Sequence, residues 1–308
     1  MAKWHHEGII VLGLPRSGTT LVRRLLNSHP SISCPGENFL LRGAARFIES
    51  ERIAYGIDYG VLGGLSSLGL PEEVVLSKLR SMTFDMLREI AKDQGKPRWA
   101  TKTAVESFYI DAIERIYGKS AYFICVLRHG LDVVCSLKEF CDEIQGYVAE
   151  LHRYVQRYPR PLEAFAHAWT DVSGDLADFV DRHPENAILC RYEDLVKDPE
   201  ATLQGVLEFV GADWDPNILA EAFTVREVKG LGDWKTYAKS GIDEASVERW
   251  HALSDAALPR LATIVNPMLA RLGYDQVDSG QELSTSEAMR KYELAMALKS
   301  IRAQSGTP

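Results

Sequence analysis

Apolar residues in this chain alternate between short unbroken runs and longer stretches in which they recur every three or four positions. Unbroken runs at residues 9–12, 121–127 and 186–190 consist mostly of aliphatic and aromatic residues. A run of this length and composition is typical of a strand that is buried on both faces. Because such strands alternate with helical stretches, the pattern predicts an α/β fold of the three-layer P-loop type, with a central parallel sheet flanked by helices.

The rest of the pattern completes this fold along the chain. A further strand is predicted at residues 98–103, and loops are predicted at residues 53–70 and 225–241, where Gly is frequent. No repeat, low-complexity tract or linker divides the chain, so we expect one domain, 1–308, with its core at about 8–275. Helical spacing predicts helices at residues 19–27, 40–47, 71–91, 107–117, 131–140, 147–158, 161–182, 199–210, 243–251 and 258–272, and a C-terminal helical tail at about 284–303.

The loop between the first strand and the first helix has the composition of an anion cradle. It runs from Gly13 to Gly18, and two threonines open the helix behind it. In such a unit, backbone N–H groups and the positive end of the helix converge on one anion. The predicted anion-binding residues are Arg16, Ser17, Gly18, Thr19 and Thr20.

The spacing of the two glycines matches the nucleotide P-loop, but the residues that follow differ from it. A P-loop continues with Lys and then Ser or Thr, whereas this chain has Thr19 and Thr20. The lysine that reaches the β- and γ-phosphates is therefore missing, and a cation lies inside the loop at Arg16. Such a loop is suited to a short anionic group rather than to a metal-bound triphosphate. A tight turn without a ligand is the alternative.

Charge and composition narrow the function classes. The 308 residues carry a formal net charge of -8 at pH 7, which argues against a general nucleic-acid binder. The 5 cysteines lack metal-ligand spacing, and their odd number fits a reducing compartment. No apolar run reaches the ~18 residues of a membrane span, and no signal-peptide core follows Met1. We therefore expect a cytoplasmic protein without a metal site.

A second anion site is predicted where the strand at residues 121–127 ends. Arg128 follows this strand directly, and Ser136 lies about two turns into the next helix. Both side chains can point into the crevice at the carboxyl ends of the strands, where open α/β sheets bind their ligands. An arginine at a strand end is also a common ion-pair partner. This motif therefore predicts an anion site only in combination with the cradle that precedes it.

Together these segments resemble the sulfotransferases that use 3′-phosphoadenosine-5′-phosphosulfate (PAPS). LPRSGTTLVRRLLNSHP at residues 14–30 is similar to their 5′-phosphosulfate loop, especially in the tyrosylprotein and bacterial branches. RHGLDVVCS at residues 128–136 is similar to their 3′-phosphate motif, which implies that Arg128 and Ser136 bind that phosphate.

Two later segments extend the resemblance. KGLGDWK at residues 229–235 is similar to the loop that closes over the 3′-phosphate, with Lys229 and Gly230 in the contact positions. The arginine that usually precedes this lysine is Val228 here. RYEDL at residues 191–195 resembles the YEDL segment of the family, which implies that Tyr192 lies near the adenine. The alternative for Tyr192 is simple packing on the sheet.

The resemblance also implies two catalytic residues. Lys102, at the end of a predicted strand, matches the catalytic lysine of the family. The cytosolic enzymes place a histidine base two residues later, where this chain has Ala104. Cys34 to Glu37 instead matches the Cys-x-x-Glu segment that carries the base of the tyrosylprotein branch, so Glu37 is the predicted general base. The alternative is that Glu37 caps the helix predicted from residue 40.

The function implied by the resemblance is transfer of a sulfuryl group from PAPS to a hydroxyl, or less readily an amine. The acceptor class is a small molecule, lipid or glycan, and the nucleotide product is adenosine 3′,5′-bisphosphate (PAP). One alternative is a P-loop small-molecule kinase, which the missing lysine disfavours. Another is a non-catalytic nucleotide-binding protein of the same fold. It is disfavoured because Arg16, Lys102, Arg128 and Ser136 are all present.

Overall fold

The apolar runs of the sequence form the centre of the molecule. The computed structural model describes residues 5–52, 58–224, 241–254 and 256–278. The strands are β1 (Ile9–Leu12), β2 (Ile32–Ser33), β3 (Ser50–Arg52), β4 (Asp58–Gly60), β5 (Arg98–Lys102), β6 (Tyr122–Leu127) and β7 (Ala187–Arg191). Five of them form a parallel sheet in the order β2-β5-β1-β6-β7, while β3 and β4 form a separate antiparallel pair.

Helices cover this sheet and connect its strands. The α-helices are α1 (Thr19–Ser28), α2 (Leu40–Phe47), α3 (Val61–Ser67), α4 (Glu72–Asp93), α5 (Ile110–Tyr117), α6 (Gly130–Glu143), α7 (His152–Arg157), α8 (Pro161–Arg182), α9 (Tyr192–Lys197), α10 (Pro199–Phe209), α11 (Ile218–Glu221) and α12 (Leu258–Arg271). Short 3₁₀ helices lie at Ala104–Tyr109, Ala149–Leu151 and Arg249–Ala252. The prediction of an α/β fold with a parallel sheet between helices is confirmed.

Both faces of the sheet are buried, which explains why its strands have no polar alternation. Along β1, Ile10 and Leu12 belong to a core that also contains residues of α4, α5, α6, α8 and α12. Ile9 and Val11 belong to a second core, shared with α1, α9 and α10. Because β1 is the central strand, each of its residues faces one of two apolar layers. An unbroken apolar run is the expected result.

Two predictions about local structure are wrong. Residues 58–67, predicted as part of a loop, contain β4 and α3. The helix predicted at residues 243–251 is absent; the chain there makes bends and, from Arg249, a 3₁₀ turn. The Asp132 carboxylate accepts the N–H groups of Glu248 at 2.9 Å and of Trp250 at 3.1 Å, and Glu248 has a left-handed φ of 58°. These N–H groups therefore bond to another element rather than to the preceding turn of a helix.

The carboxyl ends of the parallel strands meet at one edge, and the predicted site residues follow them. The cradle follows β1, Lys102 ends β5, Arg128 follows β6 and Tyr192 follows β7. Within the described ranges, none of the helices is both long and apolar enough to cross a bilayer. The predicted tail at residues 284–303 lies outside these ranges, and the division of the chain into one domain stays a prediction.

Candidate active site

The cradle after β1 has a backbone shape that few sequences permit. Gly18 has a φ of 97°, in the left-handed region, and a Cβ atom added there would lie 2.3 Å from Cδ2 of Tyr192. Arg16 is also left-handed, with a φ of 79°, which is uncommon for a residue other than glycine. Helix α1 begins directly behind the loop at Thr19, so the N–H groups at its N-terminus face the same space.

The second predicted anion site is joined to the cradle by hydrogen bonds. Nε of Arg16 donates to Oγ of Ser136 at 3.1 Å, and Nη1 of Arg128 donates to the Arg16 carbonyl at 2.9 Å. The Arg128 guanidinium also donates to the carbonyl of Ser246 and lies 4.8 Å from the ring centroid of Tyr192. The two motifs, separated by more than a hundred residues in sequence, therefore form one cationic cluster.

Burial of the Arg128 side chain in this cluster removes its charge from water, which is unfavourable. Its side chain is buried, and this burial lowers its pKa, with a smaller lowering contribution from the charge of Arg16. Its Nε is a buried donor that has no hydrogen-bond partner among the described residues. A buried guanidinium donor without a partner is costly unless a ligand satisfies it. This group is therefore suited to contact an anion.

Glu37 and Lys102 form an ion pair near the cradle. Nζ of Lys102 donates to Oε1 of Glu37 at 2.7 Å, and the backbone N–H of Ala104 donates to the same oxygen at 3.4 Å. The Lys102 side chain is 4% exposed and that of Glu37 is 20% exposed. Lys102 is fixed as the last residue of β5, whereas Glu37 lies in the connection between β2 and α2. A base candidate and a cation thus share one small space.

The alternative role for Glu37, as a helix cap, has no support in the geometry. Phe39 occupies the cap position of α2 with a φ of 59°, and its side chain makes no capping hydrogen bond. The N–H of Leu40 donates to Oδ1 of Asn38 at 3.0 Å, and the N–H of Phe39 donates to Oγ1 of Thr103. The carboxylate of Glu37 is turned toward Lys102 instead. Its role as a general base stays a prediction.

A buried acid that no motif indicated lies near this pair. Glu106 is fully buried, and its Oε1 accepts the backbone N–H of Arg42 at 3.1 Å. Its Oε2 has no partner among the described residues. Burial raises its pKa to about 8, and the charge of Glu37 adds to this rise. The one signal in the sequence was an acid four residues after Lys102.

A single crevice with a volume of about 430 Å³ collects these groups. This volume lies within the range of ~300–1,000 Å³ that is typical of small-molecule sites. Ser17 is buried and does not belong to the described lining; Lys229 and Gly230 lie outside the described residues. The predicted site residues that line the crevice are Arg16, Gly18, Thr19, Thr20, Glu37, Lys102, Arg128, Ser136 and Tyr192.

Apolar side chains that no motif indicated complete the lining. Six of them are Phe39, Ala104, Val105, Phe140, Ile144 and Val148. In the described part of the chain, no group of three or more His, Cys, Asp or Glu residues is placed to hold a metal ion.

Comparison with known proteins gives this site a context. A model of the sulfotransferase family matches residues 8–216. The chain is 25% identical over 284 residues to a protein described as a putative protein-tyrosine sulfotransferase of Caenorhabditis briggsae, covering 90% of this chain and 92% of the relative. It is 26% identical over 284 residues to the nodulation protein NoeE of Sinorhizobium fredii, covering 86% of this chain but 65% of the relative.

The fold is also similar to that of a solved structure, the sulfotransferase domain from the curacin biosynthetic pathway. The TM-score is 0.60 at 18% identity, and the alignment covers 87% of this chain and 98% of the other. At this identity the likeness supports the fold alone.

Proposed function

The chain belongs to the sulfotransferase family, and on this premise we propose that it transfers a sulfuryl group from PAPS to a hydroxyl of a small-molecule, lipid or glycan acceptor. The family implies PAPS as the donor. The observation that carries the proposal is the ion pair of Glu37 with Lys102, 2.7 Å long, in the same crevice as the cationic cluster of Arg16 and Arg128. A proton acceptor and three cations surround one space.

The residues of the crevice fit a donor that has two separate anionic groups. The cradle and the N-terminus of α1 suit the 5′-phosphosulfate, with Arg16, Gly18, Thr19 and Thr20 as its lining residues. Arg128, whose buried Nε has no described partner, and Ser136 suit the 3′-phosphate. We assign Tyr192 to the adenine, and we retain Ser17, Lys229 and Gly230 as predicted contacts.

When bound, PAPS supplies an activated sulfuryl group on a phosphate leaving group. Glu37 accepts the proton of the acceptor hydroxyl as the new S–O bond forms, by in-line transfer. Lys102 and Arg16 stabilise the negative charge that develops on the oxygen released from sulfur. The fixed position of Lys102 at the end of β5 means that this cation needs little rearrangement during the transfer.

The first test is nucleotide binding without metal. Calorimetry of the full chain with PAP in EDTA should show binding, because the crevice supplies its own cations. Binding that appears only after addition of Mg²⁺ would contradict the proposed donor site and favour the kinase alternative.

The second test is transfer itself. Labelled PAPS incubated with a library of phenols, alcohols, lipids and glycans should give labelled products, and ATP with Mg²⁺ should give none. The sequence places threonine rather than lysine after Gly18, so the second result follows from the missing cation. Phosphorylated products would reject the proposal.

A further inference from the structure

The crevice has two halves with different chemistry. The nucleotide half is formed by the cradle, Arg128, Ser136 and Tyr192, where cations and hydroxyls predominate. The acceptor half begins at Phe140, whose ring centroid lies 5.7 Å from the Arg16 guanidinium carbon, and continues past the pair of Glu37 and Lys102. The difference between the halves carries information about the acceptor.

One wall of the acceptor half consists of apolar side chains on α6. Phe140 and Ile144 lie four and eight residues after Ser136, so these two residues lie on the same face as Ser136, along this helix and its end. At about 1.5 Å per residue, this face extends some 12 Å from the cation cluster. Val148 continues it after the helix.

A second set of apolar lining residues lies next to the ion pair in sequence. Phe39 follows Glu37 by two residues, and Ala104 and Val105 follow Lys102 directly, so the segments that carry the catalytic candidates also carry apolar side chains into the crevice. The N–H of Phe39 donates to Thr103, which joins these two segments. An acceptor hydroxyl placed at Glu37 would therefore have apolar side chains of both segments beside it.

Polar groups in the acceptor half are few and already engaged. The polar side chains beside the apolar lining are those of Glu37 and Lys102, which bond to each other. Asp243 and Ser246 also line the crevice, on the segment whose Ser246 carbonyl accepts from Arg128 of the nucleotide half. Arg249, a cation further along the lining, is paired with Glu139. A polyol or a peptide backbone placed here would lose hydrogen bonds to water without gaining partners. Each such loss weakens binding by roughly five- to a hundredfold.

We propose that the acceptor is an alcohol or phenol with one reacting hydroxyl on an apolar body, rather than a glycan or a tyrosine within a polypeptide. This inference rests on the proposed sulfotransferase function and adds the class of the acceptor to it. The hydroxyl lies against Glu37 and Lys102, and the apolar body lies between the Phe39–Val105 wall and the Phe140–Ile144 wall.

The test compares acceptors of graded polarity with the full chain and PAPS. In a series of 4-alkylphenols and of 1-alkanols, kcat/KM should rise about fourfold for each added CH₂ until the walls are covered. A tyrosine-containing peptide and a methyl glycoside should be at least tenfold poorer than the best member of the series, in keeping with the roughly five- to a hundredfold loss for each unpaired polar group.

A matched pair of variants assigns the effect to the wall. Ile144 and Met86 are each 46% exposed, but Met86 lies on α4, outside the crevice lining. Ile144→Asn should flatten the rise along the alkyl series and leave PAP affinity unchanged, whereas Met86→Asn should match the wild type. Calorimetry of 4-propylphenol with the PAP-bound protein, which needs no turnover, should show the same loss for Ile144→Asn alone.

The outcomes separate the two levels of the proposal. If the peptide or the glycoside is sulfated as well as the best apolar acceptor, the acceptor class is overturned while the sulfotransferase function stands. An unchanged alkyl series in Ile144→Asn also overturns it. If none of the acceptors yields a sulfated product, the proposed function itself fails.

Discussion

The nucleotide half and the acceptor half of the crevice are built in different ways. The cradle of the nucleotide half is one short segment between β1 and α1, whose shape depends on the backbone of Arg16 and Gly18. The described residues of the acceptor half do not form one such segment. Its side chains come from the connection between β2 and α2, from the 3₁₀ helix after β5, and from the end of α6.

This difference explains which half of the site leaves a recognisable motif in the sequence. A backbone-built site leaves a compact motif, because its glycines and its flanking strand and helix must be adjacent in sequence. A wall of side chains from distant elements leaves no motif, since any apolar residue of suitable size can take each position. We therefore expect substitutions in the two halves to separate nucleotide affinity from turnover and acceptor choice.

The largest effect should come from Glu37→Gln. The amide keeps the size of the side chain but cannot accept the hydroxyl proton, so kcat should fall by roughly 10²–10⁴-fold. Nucleotide affinity and melting temperature should stay near those of the wild type. Steady-state kinetics with PAPS and a reactive phenol, together with calorimetry for PAP, measure both quantities. Glu73→Gln, on the exposed surface of α4, is the control. Near-normal turnover in the folded Glu37→Gln protein would remove Glu37 from the mechanism.

Lys102→Ala should give the next largest effect. This cation is placed to stabilise charge that builds during transfer, so its loss should lower kcat by roughly 10²–10³-fold and PAP affinity by much less. The same kinetic and calorimetric measurements apply. Weak PAP binding with an unchanged kcat would show instead that Lys102 contributes to nucleotide binding and not to stabilisation of the transition state.

Arg128→Ala should act on affinity in the nucleotide half. Loss of a charge-assisted contact costs roughly 1.5–3 kcal/mol, or about ten- to a hundredfold in affinity for PAP. Affinity for adenosine 5′-phosphosulfate, which lacks the 3′-phosphate, should change little. Because Arg128 also donates to the Arg16 carbonyl, equal losses for both nucleotides would mean that it acts by holding the cradle.

Glu106→Gln should have the smallest effect on turnover. Its main effect should be on how folding stability depends on pH. The pKa of Glu106 is raised to about 8 in the folded chain by its burial, above that of an unfolded glutamate. Between these two pKa values the folded state holds a proton that the unfolded state has lost. Folding stability from this group is therefore present at low pH and is lost as pH rises toward 8, by about 1.4 kcal/mol per pH unit at most.

The measurement for Glu106 is melting temperature from pH 5.5 to 8.5. Wild-type protein should lose stability over this range, and Glu106→Gln should lose less, since an amide does not ionise. The difference between the two proteins should therefore move in favour of the variant as pH rises. A difference that is constant with pH would show that the carboxyl group is not protonated in the folded state.

Much of the fold was predictable because its strands are buried on both faces. The run at residues 9–12 matches β1, and helical spacing gave the bounds of α2. The predicted helix at residues 243–251 is wrong, and in that segment the N–H groups of Glu248 and Trp250 bond to Asp132, in a distant part of the chain. Helical spacing in a sequence does not indicate that a distant carboxylate will accept the N–H groups that a helix would use.

The candidate site was predictable to the extent that short motifs define it. The sequence predicted that Arg128 and Ser136 point into one crevice and that Arg16 belongs to the cradle, and the structure places the three side by side. It did not indicate the hydrogen bond between Arg128 and the backbone of Arg16, the buried Glu106, or the apolar wall on α6. Each of these depends on which elements pack together, and that packing is a property of the whole fold.

The cationic cluster of Arg16 and Arg128 has a consequence for how this protein behaves in ordinary buffers. Inorganic sulfate and phosphate carry the oxygens and charge that this cluster is suited to bind. An ion that binds the folded chain alone raises its apparent stability by mass action, by about 2.7 kcal/mol at a hundred times its dissociation constant. Unfolding midpoints measured in phosphate buffer should therefore exceed those in a buffer without oxyanions, and they should rise with buffer concentration.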